Sequence, residues 1–294
     1  MAISPSAIIK PVLRLKHLFD QSRAHCHHRA MHEKCEEFLN TLLWGMDMLA
    51  RPTLRNLTSS YEAWAYRNGF YQQVRRLEQA NLVTREQRAL GEQIYSLTKT
   101  GRLHALGGRD PEERWGRTWD GVWRSVMFDL PGGGDFLRHK LRRLLHLHHL
   151  GCLQRSVWIS PDPLPEVSEK FNRNDVRSIV MFEMQPTAGT THESMVEAAW
   201  PWKRINDLYT RHLQVLEDRP KQRLTDENTA RRFQRWAASE RSAWLEAVQI
   251  DPLLPETLLP KGYLGKKAWT ARQQWGKRVS EQVESFAAPK AVVK

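Results

Sequence analysis

Arginine and glutamine concentrate in one short stretch, FYQQVRRLEQA (70–80). Phe70, Val74 and Leu77 recur at i, i+4 and i+7, so a helix here buries one face. The opposite face shows Tyr71, Gln72, Arg75, Arg76 and Gln79. Arginine and glutamine match base edges in a major groove, and arginine and tyrosine also bind phosphates. Tyr71, Gln72, Arg75 and Arg76 are therefore the candidate groove-side residues, with Arg67 at the helix entrance. Arg85 and Arg88 lie in the polar stretch that follows and would reach the DNA backbone or minor groove. The competing reading is a solvated face on a protein-binding domain.

A second candidate is Asp129, which ends WDGVWRSVMFDLP (119–131). An acid at the end of a central strand, met by its copy in a dimer, could hold a divalent metal for phosphodiester hydrolysis. No second acid stands at a matching position, and the simpler role is a turn that caps the amides of Gly132–Gly134. Two histidine-rich runs invite a zinc reading. In AHCHHRAMHEKC (24–35) His28 and His32 are four apart, as helical metal ligands can be, but no C-x₂-C arm pairs with them as a structural zinc site requires. In HKLRRLLHLHHLGC (139–152) the leucines supply a core face and the histidines decorate it. No metal is expected at either.

The elements that must position these residues follow from periodicity. EKCEEFLNTLLWGMDMLA (33–50) has helical spacing at Phe38, Leu42, Leu43, Met46 and Leu49, and Arg51-Pro52 stops it. A short helix over about 53–66 precedes the Asn68-Gly69 break. Asn81 can take the left-handed conformation that ends the third helix. LVT and IYSLT flank REQRALGEQ as a β-hairpin. Three helices and a hairpin are the order of a winged helix-turn-helix. KTGRLHALGGRDPEERWGRT (99–118) reads as a short helix and then a linker.

From 119 the pattern changes to strand (123–130), helix (136–150, N-cap Asp135, C-cap Gly151), strand (LQRSVWIS), strand (SIVMFEM, 178–184) and helix (200–217). That is an α+β, ferredoxin-like order. From about 228 to 286 the chain is helical, interrupted by IDPLLPETLLPKGYLG. The expected division is a basic extension (1–32), a winged helix (33–110), a ferredoxin-like domain (111–219) and a C-terminal helical domain (220–294).

The chain has 294 residues and a net charge of +12. Residues 1–118 carry 18 Lys and Arg against 12 Asp and Glu, and residues 220–294 carry 14 against 8. The middle, 119–219, balances at 13 against 13. The two basic ends are the expected nucleic-acid contacts, because neutralising phosphates releases counterions. Twelve tryptophans and 40% apolar content argue for folded domains. No apolar run reaches the roughly 18–20 residues that span a bilayer. Three cysteines, an odd and sparse set, fit a reducing cytoplasm.

Three segments, WDGVWRSVMFDLP (119–131), LRHKLRRLL…LGCLQRSVWISPDPL (137–164) and DPLLPETLLPKGYLG (251–265), resemble in this order the phenylacetic-acid-degradation repressors, the PaaX-like transcriptional regulators. The likeness covers about 36–286. It implies a winged helix, a ferredoxin-like dimerisation domain and a C-terminal helical domain in a protein that is not an enzyme. It further implies a homodimer that binds a palindromic double-stranded DNA operator and is released by an aryl-acyl-CoA, with no other cofactor. The central domain is also similar to the small CRISPR-associated ferredoxin-like nuclease, whose metal-binding aspartate falls at Asp129. The chain departs from the family in its His-rich extension, in Asn81 where glycine is usual, and in Tyr263 where tryptophan is usual.

Overall fold

The computed structural model describes residues 70–87, 93–129, 135–164, 179–221 and 227–287. The helices expected at 33–50 and 53–66, the AHCHHRAMHEKC run, Arg67, Arg88 and the Gly132–Gly134 turn lie outside these residues. The chain divides into two compact units. One holds Glu112–Ile205 and Ile250–Tyr263; the other holds the described residues up to Pro111, Asn206–Gln249 and the chain from Leu264.

In the second unit, α1 (Phe70–Gln79) leads into a hairpin of β1 (Val83–Gln87) and β2 (Gln93–Leu97), paired antiparallel. Val74 and Leu77 are buried together with Leu82, Val83, Tyr95 and Leu97, so helix and hairpin share a core. Asn81 ends α1 in the left-handed region (φ 55), where an amide side chain is tolerated better than most. The amide of Leu82 donates to the Leu77 carbonyl at 2.9 Å, closing the helix end. Thr98 Oγ1 then donates to the Asn81 carbonyl at 2.7 Å and accepts the Gly101 amide at 2.9 Å, capping α2 (Lys99–Ala105).

Residues 111–118 correct the sequence expectation. Pro111–Gly116 form a helix, α3, and Trp115 within it is buried. Proline in the first position, with Glu112 and Glu113 in the first turn, suits a helix start, and both features were legible.

The first unit is built on a four-stranded sheet. Its strands are β3 (Trp123–Phe128), β4 (Gly151–Gln154), β5 (Val157–Ser160) and β6 (Ile179–Met184), in the order β4-β5-β3-β6 with every neighbour antiparallel. LQRSVWIS is thus part of a hairpin rather than one strand. In a ferredoxin-like sheet a second helix joins the third and fourth strands; here that connection contains 165–178, outside the described residues. α4 (Asp135–Leu147) covers one face, and Val126, Phe128 and Trp158 pack with Leu141, Leu144, Leu145 and Leu150.

Gly151 does not cap α4. His149 takes the left-handed position (φ 59), while Gly151 opens β4. A Cβ on Gly151 would lie 2.6 Å from the Trp200 ring and 2.7 Å from Ala199, so packing requires the glycine. Trp200 and Ala199 belong to α5 (His192–Ala199) and its end, and α6 (Trp202–Glu217) follows. The expected 200–217 helix is therefore preceded by a separate short one. α7 (Glu227–Ile250) and α8 (Gly265–Ala287) flank the predicted interruption, which contains a 3₁₀ turn at Glu256–Leu258. Among the described residues no helix is long and apolar enough to cross a membrane.

Candidate nucleic-acid interface

Burying Val74 and Leu77 fixes which side of α1 faces outward. Arg75 and Arg76 are exposed there. Tyr71 and Gln72 lie one turn earlier on the same helix. Arg85 extends the basic surface onto β1 but has a local acid: its Nε is 3.2 Å from Glu78 Oε1. An exposed ion pair of this kind is worth about 0–1 kcal/mol, so a phosphate can displace Glu78 at little cost. The described part of the expected surface is therefore one helix face with the adjoining strand, and two of its cations, Arg75 and Arg76, are consecutive.

Asp129 directly follows β3 and is exposed. Among the described residues no group of three His, Cys, Asp or Glu could hold a metal ion. His146 stacks edge-on against Trp158, with ring centroids 4.7 Å apart. Burial, with Arg142 nearby, lowers its pKa.

Two charged clusters were missed by sequence reasoning. In the first unit, Asp162 receives Arg117 Nε at 2.6 Å, Arg117 Nη2 at 3.0 Å and Arg114 Nη2 at 2.6 Å. Burial alone would raise the Asp162 pKa, but the hydrogen bonds and charges of Arg117 and Arg114 outweigh it and hold the carboxyl below its ordinary value. Arg117 Nη1 also donates to the Leu253 carbonyl at 2.6 Å. Leu253 is itself in the left-handed region (φ 48), and its amide donates to buried Asp251 at 2.8 Å. Tyr263 donates to the other Asp251 oxygen and accepts Trp115 Nε1 at 3.2 Å. The WISPDPL and DPLLPETLLPKGYLG motifs are thus tied to α3 by one ion-pair frame. The aspartate–proline pairs that anchor it are visible in the sequence; their partners are not.

In the second unit, Glu240 is buried between His212 and Arg272. Its Oε1 accepts His212 Nε2 at 2.8 Å and Arg272 Nε at 2.7 Å. Burial works to raise its pKa, but Arg272 and His212 together bring it down to about 2. Trp244 packs over this cluster, 5.3 Å from the His212 ring and 5.0 Å from the Arg272 guanidinium.

Two family models match consecutive stretches of the chain. The family model of the PaaX protein central Cas2-like domain matches residues 116–196, and that of the PaaX-like protein C-terminal domain matches 200–289. Together they span more than half of the chain. No curated protein matches. Among solved structures, the uncharacterized protein Rv0674 from Mycobacterium tuberculosis is similar, at 19% identity and a TM-score of 0.46, over 74% of this chain and 84% of that one. With two family domains in tandem and the three sequence motifs falling in or beside them, the chain belongs to the PaaX-like family.

Proposed function

We propose that the chain is a dimeric DNA-binding transcriptional repressor of a catabolic operon, released by an acyl-CoA-type effector. The observation that carries the DNA-binding reading is the outward face of α1. Arg75 and Arg76 are exposed on a helix whose other side is locked onto a hairpin. Residues 33–110 act as a winged helix, with Arg67, Tyr71, Gln72, Arg75 and Arg76 addressing a major groove. Arg85 and Arg88 address the backbone or minor groove. Residues 111–219, neutral from 119 on, form the dimer core, and 220–294 form the helical domain that senses the effector. Two α1 helices would enter successive major grooves about 34 Å apart on a palindromic site. The effector lowers operator affinity through a coupling of roughly 1–3 kcal/mol.

Titrating the purified protein against its own promoter and against random DNA at several salt concentrations tests this reading. A preference for the promoter and a steep loss of affinity with salt are expected. Equal binding to both DNAs at every salt concentration would contradict it. Selection of bound fragments from a genomic pool, repeated with candidate acyl-CoA thioesters, identifies operator and effector.

A further inference from the structure

Two cations meet at one indole in the second unit. Arg219, just past the end of α6, and Arg278, on α8, lie 4.0 and 4.8 Å from the Trp275 ring centroid. Cation–π attraction accounts for one arginine on a tryptophan. A second one at the same ring adds repulsion between like charges. Burial and the charge of Arg278 both hold the Arg219 pKa below its ordinary value.

Several other described arginines meet a carboxylate. Arg114 and Arg117 share Asp162, Arg124 meets Asp120, and Arg272 meets Glu240. Arg219 and Arg278 meet no carboxylate among the described residues, although Glu217 and Asp218 immediately precede Arg219. An arginine attracted to a ring by its charge keeps its N–H donors for another acceptor, and two such groups converge here. Convergence on a single ring suits one compact, multiply charged anion. Contacts to duplex DNA, by contrast, are spread along the backbone.

We propose that Arg219, Trp275 and Arg278 form a binding site for a phosphorylated small molecule, with the two guanidiniums holding its diphosphate or phosphomonoester oxygens. This deepens the effector reading and depends on it only for the role of the ligand.

Calorimetric titration of inorganic pyrophosphate, and separately of coenzyme A, into the full-length protein without DNA tests the site. Both should bind at low salt, and Arg219→Gln with Arg278→Gln should weaken each by roughly tenfold or more. Arg278→Gln alone, at an exposed position, should give part of the same loss while the protein stays folded. Absence of wild-type binding, or an affinity unchanged in both variants, overturns the proposal. So does a loss of DNA affinity in the double variant that accompanies unchanged pyrophosphate binding, since the cluster would then be a backbone contact. A protein that binds pyrophosphate through these residues yet shows no promoter preference would sink the repressor reading and leave this site standing.

Discussion

Glu240 keeps its charge in the interior because His212 and Arg272 meet the same oxygen. Its folded pKa of about 2 lies below the ordinary 4.5. The pair therefore contributes its full stability above about pH 4.5 and loses it as pH falls toward 2, on the order of 3 kcal/mol in all. Acid unfolding followed by circular dichroism should show a steep loss of stability in that window. Glu240→Gln should flatten this loss and, at neutral pH, cost about 3–5 kcal/mol by stranding Arg272. On the α1 face, Arg75→Ala with Arg76→Ala should weaken DNA binding and reduce the salt slope by roughly two. Asp129→Ala should leave promoter affinity at the wild-type value. Magnesium-dependent cleavage of nucleic acid by the wild-type protein, lost in that mutant, would instead move the function to the end of β3.

At the scale of elements, Gly151 does different work from what its neighbours in sequence suggest. Gly151→Ala drives a methyl group into Trp200 and Ala199 and should destabilise the protein by about 1–3 kcal/mol, read as a lower thermal midpoint. Had Gly151 been the helix cap, the cost would have come from its backbone angle. α1 was legible because its burial depends on local spacing alone: Val74, Leu77 and Asn81 lie within eight residues of one another. The α1–hairpin pairing was legible for the same reason. α3 was passed over because Gly107, Gly108 and Arg109-Asp110 read as linker, and the Pro111 start signal lost to them. The Asp162 and Glu240 clusters were out of reach. Their partners stand 45 and 48 residues away for Asp162, and 28 and 32 for Glu240. Periodicity carries no information over such separations.

For the whole molecule, the charge distribution sets the expectation: basic ends for polyanions, and a neutral middle for self-association. A dimer built on the neutral segment should persist at salt concentrations that abolish DNA binding, because its contacts release no counterions. Sedimentation across a salt series checks this; a dimer that dissociates in parallel with the DNA complex would place its contacts on charged surfaces instead. The central claim is that the face carrying Arg75 and Arg76 reads DNA. The most direct test is a promoter-binding titration across a salt series, comparing wild type with Arg75→Ala/Arg76→Ala. A promoter preference over random DNA that collapses in the double mutant, with a salt slope smaller by about two, is the result predicted. A mutant that binds the promoter as the wild type does, at every salt concentration, would contradict it.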